Sequence, residues 1–271
     1  HAAHPRLVYG AVSGFGHSGP DAGKPAYDMV VQARGGVMAI TGEEGGPPVR
    51  VGASIGDIVA GMYLAQGVLA ALYDREKTGK GAKVDVAMLD AQLAIQEHAV
   101  AIASATGIPP GRTGARHPTI TPFSTYRAAD GFLVVAAGND AMFRRLCAAL
   151  PLPVADDPRF ISNAARCDNH ALLKRLLEAV LLEAPVDHWI AVLEGAGLPT
   201  ARVQDMGQVL RDPQLLARSM VLPVTARPGG PGFIAPGNPV KISSLPEIAA
   251  RPPVPALDGD RQAVLDWLDI P

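Results

Sequence analysis

Residues 49–89 read VRVGASIGDIVAGMYLAQGVLAALYDREKTGKGAKVDVAML, and this stretch decides the fold class of the chain. Two runs with strand character, Val49–Ala53 and Lys83–Leu89, flank the apolar run Ile58–Tyr73. Because that run is apolar on all sides, it predicts a helix that is buried within a layered protein. Its sixteen residues fall short of the roughly 20 that a membrane-spanning helix needs. We therefore expect no membrane contact.

The sequence before and after this stretch continues the alternation of strands and helices. Arg6–Val12 predicts a buried strand, and Asp90 predicts the start of a helix that runs to about Thr106. This order is typical of a parallel sheet with crossover helices. The predicted fold class is α/β, with a large lobe built on a mainly parallel sheet.

The character of the sequence changes after Thr106. Residues 107–118, GIPPGRTGARHP, are rich in Gly and Pro, which is typical of a domain boundary or a functional loop. The elements predicted beyond them are a strand at Gly131–Ala137, helices near Ala141–Leu150, Asn163–Glu183 and Pro185–Gly195, a short helix after Asp212, broken strands over 221–244 and a helix over Gly259–Leu268. We expect a large-domain part at 1–106, a linker and small α+β domain at 107–244, and a tail at 245–271 that returns to the large domain.

Composition narrows the class of protein. Apolar residues make up 48% of the chain and charged residues 18%, with a formal net charge of −2, which excludes a disordered chain. A nucleic-acid binder would be expected to carry a basic excess, so we expect no nucleic-acid partner. Cys147 and Cys167 have neither metal-site spacing nor a disulfide framework, so we expect no metal and a cytoplasmic location.

Two glycine motifs are candidates for the functional site. Residues 14–19, GFGHSG, match the dinucleotide pattern GxGxxG, but the chain continues as a turn-rich loop, which favours a plain loop. Residues 52–56, GASIG, match the nucleophile elbow GxSxG between a predicted strand and a predicted helix. Ser54 would then need a histidine partner, and His98, His117, His170 and His188 all remain open. The alternative is that Ser54 is a small residue in a tight turn.

The third candidate is Asp57, directly ahead of the apolar run. Asp is favoured at helix N-termini, where it satisfies free N–H groups and the helix dipole, so a structural cap is the simpler interpretation. The functional interpretation is a carboxylate nucleophile at the carboxyl end of a parallel strand, where open α/β sheets bind their ligands. Such a carboxylate can attack an acyl thioester and form a covalent anhydride.

Several motifs in the same order resemble the family III CoA-transferases, which include the formyl-CoA and carnitine-CoA transferases and the bile-acid-inducible proteins. The matching segments are Val51–Tyr63, Gly67–Leu72, Lys77–Gly81, Pro25–Asp28 with Gln32-Ala33, Gly42 through Gly46–Pro48, His117-Pro118 with Pro122-Phe123, Ala129–Gly131, Asp156–Phe160, Gly197–Pro199 and Asp212-Pro213. The resemblance covers nearly the whole chain. It implies that family members carry a substantial portion before the strand at Arg6, which we expect this chain to lack.

The resemblance implies a function and its residues. Asp57 would be the nucleophile that moves CoA between an acyl-CoA and a carboxylic acid, through an aspartyl anhydride and an aspartyl-CoA thioester. Tyr27 and Asp28 would support the site, Gly114 would belong to the glycine-rich loop that covers it, and Lys24 and Arg116 would contact CoA phosphate or an acceptor carboxylate. CoA and acyl-CoA would be substrates, with no permanently bound cofactor. The resemblance also implies an interlocked homodimer.

Three alternatives to the transferase stay open at this point. The α-methylacyl-CoA racemases belong to the same superfamily, but a histidine stands in them where this chain has Tyr27, which favours transfer. A GxSxG serine hydrolase and an inactive dimerisation fragment are the others. For the transferase we expect the Asp57 carboxylate to lie near free backbone N–H groups, with moderate burial under the Gly111–Arg116 loop.

Overall fold

A computed structural model describes residues 3–225 and 231–269. The chain divides into two compact units, residues 1–201 and residues 202–271. The first unit contains, in order, β1 (Tyr9–Ser13), α1 (Asp28–Arg34), α2 (Val37–Ile40), α3 (Ile55–Thr78), β2 (Lys83–Ala87), α4 (Met88–Ala94), α5 (Glu97–Thr106), β3 (Phe123–Ala128), β4 (Gly131–Ala136), α6 (Asp140–Ala149), α7 (Asn163–Asp168), α8 (His170–Leu181), α9 (Val186–Gly195) and the start of β5 (Thr200–Arg202). The second contains α10 (Met206–Val209), α11 (Pro213–Ala217), β6 (Val221–Val224), β7 (Phe233–Pro236) and α12 (Arg261–Trp267).

A mixed α/β fold is therefore confirmed, and its first sheet is the predicted parallel pair. β1 and β2 run parallel, with Tyr9 opposite Lys83 and Ser13 opposite Ala87. The predicted third strand at Val49–Ala53 is wrong. That segment is irregular and mostly exposed, and its N–H groups bond to a loop and a side chain: Val49 donates to the Thr41 carbonyl at 3.4 Å, and Val51 donates to Gln32 Oε1 at 2.9 Å.

The apolar run forms a longer helix than predicted, and its predicted burial is wrong. α3 covers 24 residues, and 11% of its most apolar 18-residue part is buried. Its packing partners in the chain are β1, β2, α1 and α4, which leave Ile58, Met62, Leu69 and Tyr73 exposed. By length and composition alone α3 could cross a membrane, a property shared by core helices of soluble proteins. The absence of a membrane stays a prediction.

Two separate apolar cores form in the first unit. Val31 of α1, Ala60 of α3, and Met88 and Ala91 of α4 make the smaller one, beside the β1–β2 pair. The larger core lies between the β3–β4 hairpin and helices α6, α8 and α9. Phe143, Leu146, Leu173, Leu177 and Leu193, all within 1% of complete burial, belong to it, because these helices place apolar residues three or four apart on one face.

The predicted helices of this region are largely present. α6 and α9 match closely, whereas the helix expected at 163–183 divides into α7 and α8, with Asn169 between them. β3 was not predicted; it pairs antiparallel with β4, Phe123 opposite Ala136. The helix expected to run from Asp90 also divides: α4 begins at Met88, so that Asp90 lies in its first turn, and α5 ends at Thr106.

The second unit holds one antiparallel strand pair in its described residues, β6 with β7, Val221 opposite Pro236. The Pro and Gly breaks predicted in this region include residues 226–230, which lie outside the described residues. The short helix after Asp212 and the helix near the C-terminus are confirmed as α11 and α12. The three-part domain division, including the returning tail, stays a prediction.

A fully buried arginine links the elements of the larger core. The Arg166 guanidinium donates to the Thr121 carbonyl at 2.7 Å, to the Phe160 carbonyl at 2.9 Å and to Asp140 Oδ1 at 2.7 Å. Its carbon atom Cζ also lies 4.5 Å from the centre of the Phe143 ring. A buried charge is stable only when its donors are satisfied, and here two carbonyls and a carboxylate satisfy them.

We expect Arg166→Met to lower the free energy of unfolding by at least about 2 kcal/mol, because it leaves two buried carbonyls without a donor. Arg144→Gln is the matched control: the Arg144–Asp156 pair lies on the surface, where an ion pair contributes about 0–1 kcal/mol. Urea unfolding of both variants measures the difference. Equal destabilisation by the two substitutions would contradict the role of Arg166.

Candidate functional site

The N-terminal ends of α1 and α3 meet at the carboxylate of Asp28. Its Oδ1 accepts the Gly56 N–H at 2.8 Å, and its Oδ2 accepts Gln32 Nε2 at 2.8 Å. Arg50 Nη2 lies 4.0 Å from Oδ2, and the Asp28 side chain is 12% exposed. Asp28 thus satisfies one of the free N–H groups that open α3, from a different helix. This contact fixes the turn that carries Asp57.

Gly56 is required for that close approach. A Cβ atom at position 56 would lie 2.7 Å from Val31 Cγ2 and 3.0 Å from Asp28 Oδ1. Val31 is fully buried, so its side chain has no room to move away. Only glycine lets α1 pack this tightly against the start of α3.

Asp57 is the third residue of α3, and its surroundings differ from the prediction. The first two N–H groups of α3 are already used: Ile55 donates to the Ala53 carbonyl at 2.8 Å, and Gly56 donates to Asp28. Asp57 itself is exposed, and its carboxylate has no hydrogen bond or ion pair within residues 3–225 and 231–269. Both the expected N–H contact and the expected burial under the 111–116 loop are therefore absent.

Tyr27 is the N-cap residue of α1, beside Asp28. Its carbonyl accepts the N–H groups of Val30 and Val31 at 2.9 and 3.2 Å, while its side chain is 82% exposed. The structure therefore places Tyr27, Asp28 and Asp57 at neighbouring helix ends.

Lys24 lies in the loop before α1 and is paired. Its Nζ is 2.5 Å from Asp21 Oδ1, and Arg34 binds the other oxygen of the same carboxylate. These two cations, Lys24 first, lower the pKa of Asp21 below its usual range. The Lys24 ammonium carries three N–H donors, so this pair leaves donors for a phosphate.

Gly114 and Arg116 belong to a different neighbourhood. Gly114 has a left-handed backbone (φ +62°), and its N–H donates to the Gly42 carbonyl at 3.0 Å. A Cβ there would lie 3.0 Å from Glu43 Oε2, so the loop rests on the 42–43 segment. The half-buried Arg116 donates through Nη1 to the His117 carbonyl at 3.5 Å. In the described residues no hydrogen bond or ion pair joins either residue to Asp57.

Ser54 is the N-cap residue of α3 without a side-chain capping bond. The candidate histidines have other partners: the rings of His98 and His117 lie tilted with their centres 5.6 Å apart, His170 lies 3.7 Å from Glu44, and His188 packs edge-on against Trp189. Across the described part of the chain, no histidine is hydrogen-bonded to Ser54. The arrangement does not form a serine triad.

The described residues also contain no group of three or more His, Cys, Asp or Glu side chains placed to hold a metal ion. Metal-independent chemistry stays a prediction.

Comparison with known proteins identifies the family. The model of CoA-transferase family III matches residues 1–261. The chain belongs to this family.

Two relatives and a solved structure are similar along most of the chain. The acetyl-CoA:oxalate CoA-transferase of Acetobacter aceti is 44% identical over 257 residues, which cover 94% of this chain and 64% of the relative. The succinate–glutarate CoA-transferase of Agrobacterium fabrum is 34% identical over 252 residues, which cover 92% of this chain and 62% of the relative. A CaiB/BaiF family protein from Brucella suis superposes with a TM-score of 0.83 at 33% identity, over 99% of this chain and 69% of that one. The chain thus spans somewhat less than two thirds of the length of the two curated relatives.

Sequence reasoning missed two residues of the candidate site. Gln32 was noted only as a motif match, although Asp28 and Gln32 stand four apart on a helix, a spacing at which side chains meet. Gly56 was noted only as the last glycine of GxSxG. Nothing in the sequence indicated that α1 would pack against this position.

We expect Gly56→Ala to lower the free energy of unfolding by about 1–3 kcal/mol, because the added methyl group collides with Val31 and displaces Asp28. Gly61→Ala in the same helix is the control: nothing lies within 4 Å of its Cβ position, and alanine there should raise stability by up to about 1 kcal/mol. Urea unfolding measures both. If both substitutions change the free energy of unfolding in the same direction, the close approach at Gly56 does not constrain the packing of α1 on α3.

Proposed function

We propose that this protein transfers CoA from an acyl-CoA thioester to a carboxylic acid, with Asp57 as the nucleophile. The observation that carries the proposal is the exposed carboxylate of Asp57, which has no partner in the described chain and lies on a helix turn fixed by Asp28. Membership of CoA-transferase family III supports the reaction class.

The proposed reaction proceeds by four acyl exchanges. The Asp57 carboxylate attacks the thioester carbonyl, a C–O bond forms, the C–S bond breaks and CoA leaves as thiolate. The thiolate then attacks the Asp57 carbonyl of the anhydride, which gives the aspartyl-CoA thioester and releases the donor acid. The acceptor carboxylate attacks this thioester and again expels the thiolate. Finally the thiolate attacks the acceptor's acyl carbon, which yields the new acyl-CoA and restores Asp57.

The local geometry supports this role for Asp57. A carboxylate held by several hydrogen bonds is stabilised in the ground state and must lose that stabilisation to attack. Asp28 accepts the Gly56 N–H in its place, so the Asp57 oxygens stay unbonded. The dipole of the 24-residue helix still favours negative charge in its first turn. The N–H of Asp57, without an acceptor among the described residues, is a donor available to a developing oxyanion.

The proposed acceptor is a dicarboxylic acid. The names of the two relatives include oxalate and glutarate, and both are dicarboxylates. Lys24 and Arg116 remain the proposed contacts for CoA phosphate or the acceptor carboxylate. Lys24 is suited to contact CoA phosphate because its side chain is 63% exposed. It lies in the loop directly before Tyr27.

We also propose the larger architecture that the resemblance implies: a Rossmann-like lobe that includes the β1–β2 pair, an interlocked homodimer and a cytoplasmic location. The mass of the natural protein in solution, measured by light scattering, tests the dimer. A racemase is the second candidate, and Tyr27 argues against it, because the resemblance implies a histidine at this position in the racemases.

We expect Asp57→Asn in the natural protein to abolish turnover and to change the free energy of unfolding by less than about 1 kcal/mol, because an exposed Asn is also tolerated in a first helical turn. Ser54→Ala is the matched control on the same turn and should keep turnover near the wild-type level. A CoA-exchange assay and urea unfolding provide the two readouts.

A third readout detects the covalent intermediate. Borohydride should reduce the aspartyl thioester at position 57 in the wild-type protein incubated with acyl-CoA, and no serine adduct should form. An active Asp57→Asn variant, or loss of turnover in Ser54→Ala alone, would overturn the assignment of the nucleophile.

A further inference from the structure

A cavity of about 260 Å³ lies beside Gly114, apart from the α1–α3 helix ends. Its walls are the Thr113–Arg116 loop, the Glu43-Glu44 loop, part of β3 and one face of α8. Drug-sized ligands occupy clefts of about 300–1,000 Å³, so this volume suits a small ion or one end of a larger ligand.

Several charged side chains around the cavity have partners within the protein. Glu178 accepts the N–H of Arg127 at 3.0 Å and lies 3.9 Å from Lys174 Nζ. Glu44 lies 3.7 Å from His170 Nε2. These contacts use two of the three acids and one lysine of the lining.

Two guanidinium groups of the lining have no carboxylate partner in the described ranges. Arg175 has no hydrogen bond or ion pair within the described ranges 3–225 and 231–269, and Arg116 has one long bond to a carbonyl and no carboxylate partner there. Glu43 is the one lining acid without an ion pair in those ranges. Within those ranges the lining therefore holds two guanidinium groups and one carboxylate that no ion pair uses.

The pKa of His117, which precedes the cavity strand β3, lies below its usual range, first because of burial and then because His98 and Arg116 repel the added proton. A guanidinium fork matches the geometry of a carboxylate or a phosphate.

We propose that this cavity binds one oxyanion of a substrate between Arg116 and Arg175. The identity of the ligand rests on the proposed function: the oxyanion is a carboxylate of the acceptor acid or a phosphate of CoA, which share the same recognition chemistry. In either case the ligand supplies the anionic partner that the two guanidinium groups lack within the described residues. Arg175, on α8, is then a binding residue that no motif of the sequence indicated.

The test measures binding without chemistry. In an Asp57→Asn background, calorimetry follows the binding of glutarate, butyrate, inorganic phosphate and CoA to three variants: Arg116→Gln, Arg175→Gln and the control Arg144→Gln, which removes the same charge from a surface pair on α6. Loss of a charge-assisted hydrogen-bonded contact should raise Kd about tenfold or more. Arg175→Lys, which keeps the charge and loses the fork, should show an intermediate loss.

The two sources give different results. If the oxyanion is the acid's second carboxylate, the Gln variants weaken glutarate and leave butyrate and CoA unchanged. If it is a phosphate, they weaken CoA and inorganic phosphate and leave glutarate unchanged. Unchanged Kd values for all four ligands, or equal losses in Arg144→Gln, would overturn the proposal. Because turnover is not measured, such a result would not bear on Asp57, whose own test is the exchange assay.

Discussion

The hydrogen bond from the Gly56 N–H to the carboxylate of Asp28 is the contact on which the candidate site depends. It joins two helices that are far apart in the chain, and it exists only because residue 56 has no side chain. The same carboxylate holds Gln32, and Gln32 in turn accepts the N–H of Val51. One mostly buried acid thus organises α1, the segment before α3 and the start of α3 itself. Such side-chain networks are stable when every member is satisfied.

That bond also separates two roles that one aspartate could have combined. Asp is favoured at helix starts as a cap, and Asp57 was expected to cap and to react. In the structure the capping contact comes from Asp28, so the Asp57 carboxylate is free of the hydrogen bonds that would stabilise its ground state. The helix keeps its N-terminal contact while the adjacent side chain stays available. A cap supplied by another helix is therefore consistent with a nucleophile at the third position of α3.

The sequence pattern correctly predicted the strands and helices that depend on short-range interactions. The parallel pairing of β1 with β2 followed from strand–helix–strand order, and α6, α9 and α11 followed from apolar spacing and capping residues. Prediction failed where longer-range packing decides. Val49–Ala53 has β-branched residues, yet its N–H groups bond to Thr41 and Gln32 instead of a strand. The apolar run of α3 predicted burial, but apolar composition does not specify which elements cover a helix. The Asp28–Gly56 contact spans 28 positions, and no spacing rule reaches that far.

Charged groups around the two candidate sites differ in whether the protein pairs them. Most of the charged groups in the loops and helices around the two sites are paired: Asp21 with Lys24 and Arg34, Glu44 with His170, Glu178 with Lys174. Against this background Asp57, Glu43, Arg116 and Arg175 have no ion pair among the described residues. Pairing would be the simpler way to stabilise the fold, especially for the half-buried Arg116. Charges that a fold leaves unpaired while it pairs their neighbours are the groups available to substrates, and here they have the opposite signs that an electrophilic thioester and an anionic acid would require.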